Sequence, residues 1–236
     1  LNGCDYFTFT NLKVKTLSST YARGFWIRNA SNNITIENCD IDITSATSTS
    51  SGNSAGIALA GSATSATSYS TGGTKGLNNT YKNNLIYGSS SNNGMYNGIL
   101  INGSTSMSNI GLTIEGNEIK NFYRNGIYCY YNVKDASFIK NRIVRGTKSS
   151  YTTFYGIYYY NCSGGLFDGN YIADDGPNGQ SYTAYGIYCY YFSSSSSNNG
   201  HLIVQNNVIN ITSGYYRQAI YGNQYYALSK KYLHNT

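Results

Sequence analysis

Few residues of this chain could carry out acid–base chemistry. Only 10 of its 236 residues are Asp or Glu, and 2 are His. Two adjacent carboxylates occur at Asp174 and Asp175, in the turn sequence of residues 173–177, and an imidazole occurs at His201. Side chains of these types act as general acids and bases, but Asp-Gly-Pro is also an ordinary turn sequence. We therefore predict no catalytic residue, and Asp174, Asp175 and His201 are the only candidates.

The chain also lacks the spacings typical of metal sites. Its 5 cysteines include no Cys-x-x-Cys pair, so a zinc site is not predicted. Asp40 and Asp42 flank one strand position, but no acidic partner follows at the matching position further along, so a calcium site is not predicted either. We expect no metal and no cofactor.

Tyrosine is far more abundant than the acidic residues, at 27 copies, and much of it lies in a repeat. A Gly-Ile-type step recurs roughly every 30 residues, a period typical of stacked repeat architectures. The copies are residues 24–27, 56–59, 98–101, 126–129, 156–159, 186–189 and 219–222.

Each position of this repeat is expected to form a column of side chains along the stack, because alternate residues of a strand point in opposite directions. The second residue of the step gives an inward aliphatic column, as at Ile99 and Ile127. The third and fifth residues give outward columns that are mostly aromatic. The predicted contact face consists of Trp26, Leu100, Tyr128, Tyr130, Tyr158, Tyr160, Tyr188, Tyr190 and Tyr221. Three interpretations stay open: rings that stack on one another for stability, a protein–protein contact, and a platform for sugar rings.

A second motif alternates with the first and ends in Asn-x-Ile or Asn-x-Val. Its asparagines include Asn117, Asn141, Asn170 and Asn207, and Cys39 takes this position in the second repeat. Each repeat thus holds two or three short β segments separated by Gly, Asn and Ser turns. Apolar residues lack the spacing of helical repeats, and no Asn-Gly hairpin joins matched strands. We therefore predict strands that pair in parallel with those of the next repeat.

The alternation of Gly-Ile-x-Ile steps with Ile-x-Ile-x-x-Asn-x-Ile segments resembles the right-handed parallel β-helix repeats of the pectin-lyase-like superfamily. The resemblance covers almost the whole chain. It implies an all-β fold, a single right-handed parallel β-helix of about seven coils. The Ser/Thr/Gly-rich composition of residues 44–55, 61–79 and 193–197 predicts loop insertions that leave the coil. We expect residues 1–236 to be one domain, and a fragment or processed segment of a longer repeat protein.

The resemblance also implies that the recurrent asparagines form the asparagine ladder of that fold. Asparagine tolerates the left-handed bend between two strands, and its amide can bond its stacked neighbour. Because Cys39 replaces asparagine in the second coil, the ladder is expected to begin after it.

The fold leaves the function open, because it hosts lyases, hydrolases, adhesins and phage spikes. Pectate lyases use a calcium-binding acidic cluster and a basic residue, and polygalacturonases use Asn-Thr-Asp, Asp-Asp, Gly-His-Gly and Arg-Ile-Lys motifs. Asp174-Asp175 and Gly200-His201 are similar to two of these motifs, but Leu202 follows the histidine and the other two motifs are missing. Hydrolysis of a glycosidic bond needs two carboxylates about 5–10 Å apart, and no stacked Asp completes such a pair.

Charge and hydropathy argue against two further classes of partner. The net charge of +6 comes from 16 scattered basic residues, which are too sparse for a nucleic-acid-binding stripe. No stretch reaches the roughly 18 apolar residues that a membrane span needs. A Ser-, Thr- and Asn-rich, lysine-poor solenoid favours an extracellular or cell-surface location.

Together these features predict a non-enzymatic structural or adhesive β-solenoid. We expect its partners to be further copies of itself, joined end to end or laterally into filaments, or components of the cell surface or matrix. The alternative is a β-helix that binds or degrades polysaccharide, as a lyase or a glycoside hydrolase. Aromatic residues stand where an enzyme would need acids, which favours the non-enzymatic interpretation.

Overall fold

The computed structural model describes residues 1–60, 76–103, 109–177, 181–190, 200–223 and 229–236. Most of the predicted insertion at 61–79 and the whole of the one at 193–197 lie outside the described residues. The insertion at 44–55 is described, and a strand begins within it at Ser54.

The described residues form β-strands and no helix. The first coils contain β1 (Thr8–Thr10), β2 (Lys13–Lys15), β3 (Ala22–Ile27), β4 (Thr35–Glu37), β5 (Asp40–Asp42), β6 (Ser54–Ala60), β7 (Thr80–Lys82), β8 (Leu85–Tyr87) and β9 (Asn97–Asn102). The middle coils contain β10 (Asn109–Ile110), β11 (Thr113–Glu115), β12 (Glu118–Lys120), β13 (Asn125–Tyr130), β14 (Val133–Lys134), β15 (Ser137–Ile139), β16 (Arg142–Arg145) and β17 (Phe154–Tyr160). The last coils contain β18 (Gly165–Asp168), β19 (Tyr171–Asp174), β20 (Thr183–Tyr190), β21 (His201–Gln205), β22 (Val208–Ile211), β23 (Tyr216–Asn223) and β24 (Ser229–Leu233).

These strands form three long parallel sheets. Sheet 1 has the order β1-β4-β7-β11-β15-β18-β21-β24, sheet 2 has the order β2-β5-β8-β12-β16-β19-β22, and sheet 3 has the order β3-β6-β9-β13-β17-β20-β23. The chain visits the three sheets in turn and returns to each one coil later, so it winds as a right-handed parallel β-helix. The predicted fold is confirmed, and β10 and β14 add a small parallel pair beside the main sheets.

The core lies inside the coil and receives one column of large apolar side chains from each sheet. In sheet 3 the predicted inward column is in register from Phe25 through Ile57, Ile99, Ile127, Ile157 and Ile187 to Ile220. Sheet 2 supplies Ile41, Ile86, Ile119, Ile143 and Ile172, and sheet 1 supplies Ile36, Tyr81, Ile114, Phe138 and Phe167, all of them fully buried. Burying each of these side chains contributes about 1.5–3 kcal/mol.

In the first six copies of the repeat step, the first position has room only for glycine, because sheet 3 packs closely there against side chains of sheet 2 and against its own next coil. A Cβ added at Gly156 would lie 2.3 Å from Cγ2 of Ile172 and 2.6 Å from the carbonyl oxygen of Gly186. The glycine and the isoleucine after it both face the core, so the residue before the glycine turns outward again. This shift adds an outward column that strict alternation did not predict: Arg23, Ala55, Asn97, Asn125, Tyr155, Tyr185 and Gln218.

The asparagine ladder runs along the turn between sheets 1 and 2. Each amide nitrogen donates to the Oδ1 of the asparagine in the next coil, at 2.9–3.0 Å, through Asn84, Asn117, Asn141, Asn170, Asn207 and Asn235. The ladder begins after Cys39, as expected. The left-handed residue, however, is the one before each ladder asparagine, as at Lys140 and Asn206. The residue before the ladder asparagine therefore provides the left-handed bend of the turn. The asparagine itself forms the hydrogen bond to the next coil.

Candidate binding site on sheet 3

Asp174, the first candidate for catalysis, is fully buried in the core. Its carboxylate accepts two hydrogen bonds from Arg145, Nε to Oδ1 at 2.9 Å and Nη2 to Oδ2 at 2.7 Å. The hydroxyl of Tyr182 donates to the same carboxylate at 2.9 Å. A carboxylate with these partners and no exposure cannot reach a substrate.

The other two candidates for catalysis lie elsewhere. Asp175 is exposed just after β19 in sheet 2, and its backbone N–H donates to the carbonyl of Arg145 at 3.0 Å. His201 begins β21 in sheet 1, where it lines a shallow groove with Asp135. The structure therefore does not bring the three sequence-predicted residues together into one site.

All 10 carboxylates of the chain lie within the described residues, and none is on a strand of sheet 3. Asp40 and Asp42 of sheet 2 pair with Lys13 and Lys15, at 4.0 and 3.4 Å. In the part of the chain that the structure describes, no three His, Cys, Asp or Glu side chains converge as metal ligands. The same residues contain no helix long and apolar enough to cross a membrane.

The outward side of sheet 3 carries a surface that we call the tyrosine face: Tyr128, Tyr130, Tyr155, Tyr158, Tyr160, Tyr185, Tyr188, Tyr190 and Tyr221. Its rings stack from coil to coil, with centroid distances of 4.9 Å for Tyr128–Tyr158, 5.3 Å for Tyr130–Tyr160, 5.4 Å for Tyr160–Tyr190, 5.2 Å for Tyr155–Tyr185 and 4.6 Å for Tyr188–Tyr221. Tyr158 and Tyr188 instead meet edge to face, at 5.0 Å. Because stacked rings cover each other's faces, the surface presents mainly ring edges and hydroxyls. Self-stacking therefore describes most of this face, and among the described residues a ring surface is open to a sugar where a stack ends.

Burial of the tyrosine face changes the acidity of its hydroxyls. Burial, followed by the neighbouring Tyr158 hydroxyl, raises the pKa of Tyr128 well above its ordinary value. Burial likewise raises the pKa of Tyr158 and of Tyr188. These phenols consequently stay protonated to a higher pH than an exposed tyrosine, and at neutral pH they can donate hydrogen bonds.

Two predicted contact residues behave differently from the tyrosines. Leu100 is fully buried in a small cluster with Ala55 and Ala58, against which Trp26 and Tyr128 pack. Leu100 is therefore not a contact residue. The small side chains of Ala55 and Ala58 in the neighbouring coil leave room for the rings of Trp26 and Tyr128 to cover it. Trp26 remains partly exposed, and the guanidinium carbons of its two arginine neighbours lie 4.6 and 4.9 Å from its ring centroid.

A pocket of about 320 Å³ opens where the tyrosine stacks end, between the third and fourth coils. Two outward columns change there, from Leu100 to Tyr128 and from Asn102 to Tyr130. The third outward column keeps asparagine, at Asn97 and Asn125, and changes to Tyr155 one coil later. Its lining includes Tyr96, Arg124, Asn125, Tyr128, Tyr130 and Tyr158. Ser51 of the second coil and Asn102 of the third complete it.

Sequence reasoning missed Arg124, Asn125 and Tyr96, because these residues precede the repeat step and looked like turn residues. The available signal was the switch to tyrosine in two outward columns at the same coil boundary, from Leu100 to Tyr128 and from Asn102 to Tyr130.

Among the described residues that line the pocket, Arg124 is the one with a charged side chain. Its Nη1 donates to the hydroxyl of Tyr96 at 2.8 Å, and its guanidinium carbon lies 5.6 Å from the ring centroid of Tyr155. Asn125 is 2% exposed, and its amide nitrogen donates to Oδ1 of Asn97 at 2.8 Å. The Oδ1 of Asn125 and the Nε of Arg124 are buried, and neither has a hydrogen-bond partner among the described residues. The site thus offers a cation, an acceptor, phenol hydroxyls and ring surfaces.

No protein-family model matches the chain, and no curated protein matches it in sequence. A solved structure similar to the chain is that of the Streptococcus pneumoniae surface protein and adhesin PfbA, at 14% sequence identity and a TM-score of 0.49, covering 98% of this chain and 67% of that chain. The coil-by-coil strand pairing described above, rather than this likeness, establishes the parallel β-helix fold.

Proposed function

We propose that this chain is a non-enzymatic adhesive β-solenoid of the cell surface or extracellular space, which holds a polysaccharide at the end of its tyrosine face. The pocket between the third and fourth coils carries this proposal. A sugar ring has apolar C–H faces and a rim of hydroxyls, so its recognition needs aromatic surface together with hydrogen-bond donors and acceptors. The pocket combines both, and sheet 3 places them on a rigid surface.

The chemistry of sheet 3 supports binding over catalysis. Its strands carry no carboxylate among the described residues, so the acid–base pair of glycoside hydrolysis has no members there. A tyrosine that acts as a base at neutral pH needs a lowered pKa, whereas burial raises the pKa of Tyr128 and Tyr158. Both groups are suited to hold a ligand rather than to remove its protons.

A binding screen with one matched pair of variants tests this proposal. Native gels cast with individual soluble polysaccharides, neutral and acidic, measure retardation of the wild-type chain. We expect at least one polysaccharide to retard it and Tyr130→Ala to weaken that retardation. Tyr171→Ala is the control, because Tyr171 is a half-buried tyrosine on the outer side of sheet 2.

Two outcomes would count against polysaccharide binding. One is a wild-type chain that no polysaccharide retards. The other is equal loss of binding in Tyr130→Ala and Tyr171→Ala, which would point to a general effect of removing a ring. Far-ultraviolet circular dichroism shows whether each variant keeps its β structure.

End-to-end association is a second candidate function, favoured by where apolar side chains are exposed. Large exposed examples occur in the first coil, at Tyr6, Phe7 and Leu17, and in the last, at Tyr215 and Tyr216. Strand edges and apolar side chains at the end of a solenoid are surfaces that a further coil can cover. Sedimentation velocity and electron microscopy over a range of concentrations test this candidate, and a chain that stays monomeric throughout would exclude it.

A further inference from the structure

We infer that the pocket selects a sugar that carries an acidic group, a carboxylate or a sulfate, and that Arg124 is the residue that binds this group. The inference rests on the proposed function and adds the chemical class of the ligand.

The state of Arg124 is the first observation. A guanidinium withdrawn from water is unfavourable unless an anion or several hydrogen bonds compensate it. Arg124 is half-buried, and the side-chain partners it has among the described residues are neutral: its guanidinium donates to the hydroxyl of Tyr96 and also hydrogen-bonds Tyr155. Its Nε is buried without a partner among those residues. All carboxylates of the chain are described, and none pairs with Arg124.

Arg145 is a useful comparison, because it is an arginine with a purely structural role. It is fully buried among aromatic rings, as Arg124 is in part, but it has a bidentate partner in Asp174. Its remaining nitrogen donates to the carbonyls of Tyr123 and Thr152. Arg124 lacks such a set and borders an open pocket, so its counter-ion is expected to come from outside the chain.

The charge of the whole face is the second observation. Two further arginines lie on or beside sheet 3 in the first coil: Arg23 is on β3 and Arg28 follows that strand, and both contact the ring of Trp26. The carboxylates of the chain are all on or beside the other two sheets. A face with arginines and no acids concentrates anions near it, and a guanidinium binds carboxylate or sulfate oxygens through paired N–H donors.

Asn125 restricts the ligand further, from an anion to an acidic sugar. Its buried Oδ1 has no partner among the described residues, and an amide oxygen needs a donor such as a hydroxyl. Chloride and sulfate have no such donor, and any simple inorganic anion would fill only a small part of a pocket of about 320 Å³. A sugar supplies an anionic group for Arg124, a hydroxyl for Asn125 and an apolar face for Tyr130.

Three polymers with one glucan backbone separate charge from sugar. Dextran, carboxymethyl-dextran and dextran sulfate, the last two with the same number of charges per glucose, are passed over the immobilised full chain, and the dissociation constants are compared. We expect the charged polymers to bind more tightly than dextran, and the tighter of the two identifies the acidic group. Arg124→Gln is expected to weaken binding of that polymer about tenfold with little effect on dextran. Arg124→Lys keeps the charge without the paired donors. Its affinity for that polymer is expected to lie between the affinities of the wild type and of Arg124→Gln.

Arg142→Gln is the control, because it removes an equal charge from an exposed position on sheet 2. Equal losses in Arg142→Gln and Arg124→Gln would overturn the inference, since any protein with a net charge of +6 attracts polyanions. Equal affinity for dextran and both charged polymers would overturn it too, while leaving polysaccharide binding intact. Failure to bind any of the three polymers would also overturn it, and the broader polysaccharide screen decides the proposed function separately. Thermal unfolding checks that each variant is folded, and Arg124→Lys provides the comparison if Arg124→Gln is not.

Discussion

Arg145 and Asp174 lie inside the molecule, between aromatic rings, and form its one ion pair with both side chains fully buried among the described residues. Rings of Tyr151, Phe154 and Tyr182 surround the guanidinium carbon at 4.7–5.5 Å. Water is excluded there, so each charge depends on the other for its compensation. The pair joins the fifth and sixth coils through neighbouring strands of sheet 2.

At the residue scale, Asp174→Asn is therefore expected to destabilise the chain by about 3–5 kcal/mol, because it leaves Arg145 buried without its anion. Urea unfolding followed by circular dichroism measures the change. Asp175→Asn is the matched control: Asp175 is exposed, and its replacement is expected to cost no more than about 0.5 kcal/mol. A cost for Asp174→Asn no larger than that of the control would contradict the structural role of the pair.

At the element scale, the turn between sheets 1 and 2 stabilises the fold through a continuous chain of amides. Asn141 shows the pattern: its nitrogen donates to Oδ1 of Asn170 at 3.0 Å and to the carbonyl of Ile114 at 2.9 Å. In the second coil Cys39 holds this position, and its Sγ lies 3.7 Å from the carbonyl of Phe9 as a weak donor. Its backbone N–H already donates to Oδ1 of Asn84 at 3.0 Å.

Replacing this thiol with an amide is expected to extend the ladder by one coil. Cys39→Asn can donate to both Asn84 and Phe9, so we expect a gain in unfolding free energy of about 1 kcal/mol. Cys162→Asn is the control, because Cys162 is buried outside the ladder, and there the unmatched amide is expected to cost about 1–3 kcal/mol. Urea unfolding of both variants measures the difference. Destabilisation of equal size in both would mean that the turn at Cys39 has no room for the amide.

At the scale of the whole molecule, the tyrosine face makes stability depend on alkaline pH. Unfolded tyrosines ionise near their ordinary pKa of 10, whereas burial raises the pKa of Tyr128, Tyr158 and Tyr188 in the folded chain. Above about pH 10 the unfolded chain therefore binds fewer protons than the folded one, and the unfolding free energy falls as the pH rises. Below that pH the full contribution is present.

Lys148 is expected to act in the opposite direction at slightly lower pH. Burial, followed by the charge of Arg145, lowers the pKa of Lys148 from 10.5 to about 8. Between these values the unfolded chain holds the proton that the folded chain has released, so the unfolding free energy rises with pH. The contribution of Lys148 is the difference between wild type and Lys148→Met in urea unfolding across this range.

With the two effects together, the unfolding free energy is expected to rise from about pH 8 and to fall above about pH 10. The chain has 27 tyrosines, several of them exposed, so tyrosinate absorbance is recorded alongside the unfolding curves for the wild type and for the triple variant Tyr128→Phe, Tyr158→Phe, Tyr188→Phe. The difference between the two shows when these three tyrosines ionise. We expect it to appear with unfolding. Tyrosinate signals from Tyr128, Tyr158 and Tyr188 in a still-folded chain near pH 10 would contradict the burial argument.

The sequence by itself determined the architecture, because each coil repeats the same short-range pattern. The Gly-Ile step predicted the inward column of sheet 3 from Phe25 to Ile220, and the recurrent asparagines predicted the ladder. Both are properties of one coil that stacking copies onto the next. A residue that contacts its counterpart one coil away needs only the right period to be placed correctly.

The tertiary structure alone decided what the outward side of sheet 3 can do. The glycine at the step brings two consecutive residues inward, which turned Asn125 and Tyr155 outward against the simple alternation. Packing between coils buried Leu100, covered the tyrosine faces with one another and paired Asp174 with Arg145. The pocket takes side chains from several coils, and whether Arg124 has an acidic partner depends on distances between those coils. Such distances follow from how the coils stack, and they cannot be derived from the period of the repeat.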